Sequence, residues 1–230
     1  SDVGRLNNQG TISAQASGEG GSATALIDRS GRMTLIENTG DIVAQTADGA
    51  GAAVALDLSR NASGVTITNT GVFQDNNLAR ADIAGDVRLG SGGDTLAFTG
   101  GRAAGDIAFG GGDNRLVLRP LEETVTQDDG GAPEFASSVM TGDVTFGGGA
   151  DTVILEGSTL AGAVDVGGGM NSIALSGGAA LSGSVVGEGD TSLSVADSDL
   201  TLSRSEGARV GRADFTGDSS LTVRLFVEEG

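Results

Sequence analysis

The chain has no cysteine, histidine, tryptophan or tyrosine, and every one of its 13 basic residues is arginine. Each absence removes a class of chemistry. Without cysteine there is neither a disulfide scaffold nor a thiol nucleophile, and residence in an oxidising compartment is permitted. Without histidine or cysteine, Ser–His–Asp and Cys–His arrangements are excluded and a soft transition-metal site lacks its usual ligands. Aromatics make up only 3% of the 230 residues, all seven of them Phe. A conventional core of this size uses more large side chains, whereas a thin solenoid rung is filled by Val, Ile, Leu and Ala. No apolar run reaches 18 residues, so no segment spans a membrane as a helix. Positive charge is also scarce: 31 acidic residues give a net charge of -18. That balance repels nucleic acid and anionic lipid and keeps a sheet-rich object soluble. The chain opens at Ser1 without a leader, as a trimmed segment of something longer would.

What is abundant is glycine, 41 residues, and it is periodic. In the N-terminal half an Asn-x-Gly turn precedes a short strand three times: Asn8-Gln9-Gly10-Thr11-Ile12, Asn38-Thr39-Gly40-Asp41-Ile42 and Asn69-Thr70-Gly71-Val72-Phe73. The glycines are 30 and 31 residues apart. A second register matches Leu26-Ile27-Asp28 to Ala55-Leu56-Asp57 at a spacing of 29. A third strand leads into each turn, ending at Leu6, Ile36 and Ile67. Three short strands per repeat is the content of one β-helix rung.

The C-terminal half changes to a period near 20, with copies beginning at Gly85-Asp86-Val87, Gly105-Asp106-Ile107, Gly142-Asp143-Val144 and Gly162-Ala163-Val164, and a weaker one from Gly183 to Val195. Period-two alternation turns Val87 and Leu89 to one side and Asp86 and Arg88 to the other. Stacking predicts one internal column of Val87, Ile107, Val144 and Val164, and a second of Leu89, Phe109, Phe146 and Val166. No rung buries its inner face alone; the stack makes the core. The fold expected is all-β, a right-handed parallel β-helix over residues 1–230. Long rungs occupy 1–80, short rungs occupy 81–199, and an irregular final rung holding Leu200-Thr201-Leu202 and Leu221-Thr222-Val223 occupies 200–230.

Gly-rich corners follow the strands at 90–93, 110–112, 147–149 and 167–169. After them Asp94, Asn114, Asp151 and Asn171 take matching positions, with Asp190 equivalent if one deletion is allowed. Short Asx side chains bond local backbone at turns, so a ladder is expected, with Asn between Asp to limit repulsion. The same acids, with Asp113, are the candidate calcium ligands: Asp94, Asp113, Asp151 and Asp190. Gly92-Gly93-Asp94 and Gly148-Gly149-Ala150-Asp151 approach the Gly-Gly-x-Gly-x-Asp repeat of calcium-binding β-rolls. That repeat returns every nine residues, however, and calcium needs six to eight oxygens.

One spacing breaks. Gly105 to Gly142 is 37 residues, an excess of 17 that falls at residues 119–138 with both prolines of the chain. This reads as a loop thrust from the stack. Its acidic residues Glu122, Glu123, Asp128, Asp129 and Glu134 form the candidate binding loop.

The Asn-Thr-Gly-Asp-Ile repeat at 38–42 and the Gly-Asp-Val-Thr-Phe-Gly-Gly-Gly-Ala-Asp-Thr-Val-Ile-Leu repeat at 142–155 resemble the adhesin-like, β-helical passenger domains of bacterial autotransporters, from about Leu6 to Val195. The resemblance implies a cell-surface or secreted protein, exported across the outer membrane of a Gram-negative bacterium through a barrel elsewhere in the full-length protein. It also implies adhesion, self-association or biofilm formation, with a second copy or a host or surface receptor as partner, and no cofactor.

Three alternatives stand beside it: a passive stalk for another domain, a calcium-binding repeat module, and a polysaccharide-active β-helix. The last would use the outward column Asp86, Asp106 and Asp143, with Arg88, Arg102 and Arg115 as partners. Glycoside hydrolysis needs two carboxylates at a defined separation, and an exposed Asp column is more often a solvated face, so no catalysis is expected. Gly217-Asp218-Ser219-Ser220 has no base partner and reads as a turn. The Gly-rich stretches lack the Lys-Ser/Thr of a P-loop. Asn61-Ala62-Ser63 matches a glycosylation acceptor.

Overall fold

Strands of two to seven residues recur three to a rung, and each stacks on its counterpart in the rungs before and after. The computed structural model describes residues 3–47, 49–74, 77–122, 135–202 and 207–224. Sheet A holds nine strands, from Arg5–Asn8 to Arg212–Thr216. Sheet B holds nine, from Thr11–Ala16 to Ser220–Val223, and sheet C holds eight, from Ala23–Ile27 to Ala208–Arg209. Within each sheet the strand order is the rung order, and neighbours pair in parallel. Parallel crossovers of this kind are right-handed, and the chain is a right-handed parallel β-helix.

The core runs down the axis as columns. Sheet A contributes Leu6, Ile36, Ile67, Leu96, Leu116, Val153, Ile173 and Leu193, one per rung. Sheet B contributes Ile42, Ile83, Ala103, Met140, Leu160, Leu181 and Leu200. Both columns expected in sheet C are present and buried, and Phe109 stacks on Phe146 at 4.5 Å between ring centroids. Thin rungs let aliphatic side chains touch their copies about 4.8 Å above and below, which is why so few aromatics suffice.

One column changes character. In sheet A, Asn8, Asn38 and Asn69 occupy an inward position that Phe98, Leu118, Leu155, Leu175 and Val195 take in later rungs. The three amides are buried. Asn8 Nδ2 donates to Asn38 Oδ1 at 2.7 Å and Asn38 Nδ2 to Asn69 Oδ1 at 2.6 Å. Asn69 Nδ2 ends the chain of bonds on the carbonyls of Ala81 and Arg102. The Asn-x-Gly signature is therefore a turn and an internal ladder at once.

The register differs from the sequence reading at four places. Leu26 pairs with Leu56 rather than Ala55, a spacing of 30; Val54, Ala55 and Leu56 are all buried, so alternation alone does not fix the frame. Val72–Gln74 does not continue sheet B as Ile42 does. It folds back antiparallel on Asn77–Ala79, and Asp82–Ala84 takes the sheet position instead. Leu200 and Leu221 are not strands of one last rung but stack in successive rungs. Asp190 pairs with Met170, and Thr191 holds the corner position of Asn171, because the one residue lost at that corner is offset by one gained between sheets A and B.

Candidate functional site

Among the described residues, antiparallel hairpins leave the stack twice, at the same corner. Between sheets A and B the third rung puts out the Val72–Gln74 and Asn77–Ala79 hairpin. Two rungs on, Leu121–Glu122 pairs antiparallel with Phe135–Ala136 at the base of the predicted insertion. Glu122 lies on that base and is exposed. Glu123, Asp128, Asp129 and Glu134 lie outside the described residues. The rung between the two hairpins turns at Gly100, which has a φ of +63°, and an added Cβ there would stand 2.5 Å from Leu121 Cβ. Glycine is what lets the second hairpin lie down on that corner. Arg80, at the foot of the first hairpin, ties the region together. Its Nη1 donates to the carbonyls of Gly100 at 3.1 Å and Ser137 at 2.6 Å.

Beside this corner, the outer face of sheet B carries a groove of about 390 Å³ over the third to fifth rungs. Its floor is Ala84, Ala104 and Thr141, outward-facing residues of one column. Its wall is the neighbouring column Asp82, Arg102 and Val139. The floor is low because two of its three outward residues are Ala and the third is Thr. Burial raises the Asp82 carboxyl above the ordinary Asp range; Arg102 opposes this, Asp41 adds to it, and Arg80 opposes it. Asp82 Oδ1 is buried and without a hydrogen-bond partner. Burial, with Arg102 nearby, lowers Arg80, and Asp82 opposes that. The groove thus offers an acceptor, a guanidinium and an apolar floor within three rungs. On the far flank of the second hairpin, a hollow of about 420 Å³ lies against Pro120, Glu156 and Phe135, which is 60% exposed.

The four candidate calcium carboxylates are split. Asp94 and Asp151 are buried in the corner column, two rungs apart with Asn114 between them. Asp113 and Asp190 lie one residue earlier in the register and are exposed. Asp113 Oδ1 accepts from Ala150 N at 2.7 Å. Among the described residues no group of three or more acidic side chains is placed to hold a metal ion.

The outward column Asp86, Asp106 and Asp143 is a hydrogen-bonded staircase. Asp86 Oδ1 accepts from Asp106 N at 3.3 Å, Asp106 Oδ1 from Asp143 N at 2.8 Å, and Asp143 Oδ1 from Ala163 N at 2.7 Å. Arg88 stands 3.5 Å from Asp86 on its own strand, while Arg102 lies beside Asp82 instead. Asn61 is 1% exposed; its Nδ2 donates to the Met33 carbonyl and its Oδ1 accepts from Ser63 N and Gly64 N. In the fold it is a corner residue, closed to glycosylation. Asp28 does the same work one rung earlier: despite its burial, bonds from Ser30 Oγ and from the amides of Met33, Ser30 and Gly31 hold its carboxyl below the ordinary range.

Sequence reasoning found the second insertion and missed the first, and so missed the groove beside them, whose first strand, Asp82–Ala84, that hairpin displaces along the chain. Arg80 was the available signal: an arginine three residues after a short polar stretch, at the corner where the other insertion also sits. A scan against protein-family models, a search of curated proteins and a search of solved structures each returned no match.

Proposed function

We propose that this chain is part of a surface-displayed adhesive solenoid of the autotransporter-passenger kind, exported across the outer membrane of a Gram-negative bacterium and acting by binding rather than catalysis. The observation that carries this reading is the Arg80-tied pair of hairpins beside the groove, a local departure from the regular stack. Binding residues concentrate where irregular segments are held by a rigid scaffold. Asp82 accepts donors from a partner, Arg102 supplies a planar cation, and the alanine floor admits a flat surface. The partner is a receptor on another surface or a second copy of the chain, and the barrel that anchors it belongs to another part of the full-length protein. With a net charge of -18, homotypic contact strengthens with ionic strength or divalent cations.

The test is adhesion and aggregation of cells displaying the chain, with Ala104→Arg against Ala161→Arg. Both alanines are exposed in the same outward column, and only Ala104 lines the groove. Ala104→Arg is expected to weaken binding about tenfold or more, while Ala161→Arg leaves it unchanged. Equal effects of the two variants remove the groove from this reading. Absence of adhesion by the wild type, with an elongated monomer in sedimentation at every salt concentration, removes adhesion itself. That second outcome favours a stalk, which the unbroken 20-residue register from Asp151 through Asn171 also suits.

A further inference from the structure

The buried corner column Asp94, Asn114, Asp151 and Asn171 repeats one hydrogen bond at every step. Asp94 Oδ1 accepts from Val65 N at 2.8 Å, and Asn114 Oδ1 accepts from Asp94 N at 2.9 Å. Asp151 Oδ1 accepts from Asn114 N at 2.8 Å, and Asn171 Oδ1 from Asp151 N at 2.9 Å. The other terminal atom separates amides from acids. Asn114 Nδ2 donates to the carbonyl two residues back, Gly112 O, at 2.9 Å, and Asn171 Nδ2 points to Gly169 O at 3.5 Å. In the acids the matching atom is Oδ2, which is buried and without a partner in both Asp94 and Asp151. The register puts the carbonyls of Gly92 and Gly149 where Gly112 and Gly169 stand. An ionised oxygen facing a carbonyl in a dry corner repels it; a protonated one bonds it.

We propose that Asp94 and Asp151 each keep a proton on Oδ2 to a higher pH than an exposed aspartate does and donate it to the carbonyls of Gly92 and Gly149, so that both acids stand in for asparagine and the stack loosens when they ionise. Burial raises both carboxyls above the ordinary Asp value, against bonds from the amides of Val65 and Gly90 at Asp94 and from Asn114 at Asp151. On the corners packed against them, the charged residues are Arg60 and Asp113 beside Asp94, and Asp113 beside Asp151. Neither contributes at Asp94; Asp113 acts on Asp151 and, being negative, favours the proton there. Because the folded pKa lies above the unfolded one, this stabilisation is complete below the unfolded value of 3.8. It is lost as pH rises through the folded value.

The composition makes the test clean. Between about pH 5 and about pH 9 exposed carboxyls do not titrate, the chain has no His, Cys, Tyr or Lys to do so, and the α-amino group, which titrates at about pH 8, is common to wild type and variants. Asp82 is the other carboxyl raised by burial and serves as the contrast. The wild-type melting temperature is expected to fall across this range. Asp94→Asn with Asp151→Asn is expected to abolish most of the fall and to melt about 2–4 °C higher per site at the alkaline end, while Asp82→Asn keeps the fall. A flat wild-type profile, or a double variant that melts lower than wild type in alkali, overturns the proposal. So does added calcium that raises the wild-type melting temperature and not the double variant's, which would put a cation where the proton is assigned. Infrared spectra give an independent reading: a protonated-carboxyl stretch that persists to higher pH in the wild type than in the double variant is expected, and its loss at the same pH in both overturns the assignment.

Discussion

Asn38 receives one amide bond from below and passes one upward, in a position that a leucine fills elsewhere in the same column. Its side chain also serves the Gly40 carbonyl at 2.8 Å. Asn38→Ala leaves Asn69 Oδ1 and that carbonyl without their donor and opens a void, at a cost of about 2–4 kcal/mol, to be read from chemical denaturation. A loss under 1 kcal/mol by that measurement, about what an exposed Asn would give, would mean that the ladder contributes little. Residues of this kind are the least legible in the sequence. Asn8, Asn38 and Asn69 carry a turn signature that any hairpin shares, and only the register puts their amides inside. Asp190 was matched to the corner column because Asx follows glycine there; the hydroxyl of Thr191 takes the place, buried at 1% exposure.

At the scale of the element, the corners decide what a rung tolerates. Gly142 opens the turn from sheet B to sheet C at a φ of +135°, and a Cβ on it would lie 2.1 Å from the Gly105 carbonyl oxygen. Gly142→Ala is expected to cost about 3 kcal/mol or more in thermal denaturation. Gly148, which a Cβ would leave free of contacts within 4 Å, accepts alanine with a change of about 0.5 kcal/mol or less. Strands and columns were legible because alternation places apolar residues unambiguously wherever polar ones separate them. Where Val54, Ala55 and Leu56 run together, the frame slipped by one. At Gly71 the spacing misled for another reason. A hairpin lengthens that rung between sheets A and B, while Gly85 shortens its turn into sheet C, so its total length stays close to that of the two rungs before it.

For the whole molecule, the rung is the unit of addition. Each rung contacts chiefly the one above and the one below, so stability grows as a sum of rungs and interfaces. Excising residues 152–171 joins Asp151 to Ser172, the two ends of one complete turn in register. The shortened protein is expected to fold, to unfold at a slightly lower temperature, and to be shorter by about 4.8 Å in small-angle scattering. Removing ten residues from the same stretch instead breaks every column above the cut, and a well-folded product would contradict the columnar account. The architecture was legible because it repeats; the groove was not, because its lining comes from three strands far apart in sequence, the first of them displaced by a hairpin that the spacing concealed. The junction between Asn69 and Phe98 has a further consequence. Below it an inward amide needs an amide or a carbonyl next to it; above it an aromatic ring needs hydrocarbon. Gene duplication can therefore lengthen either zone by whole copies, but a copy transposed across the junction sets amide against ring, so the two zones grow independently and the boundary between them stays where it is.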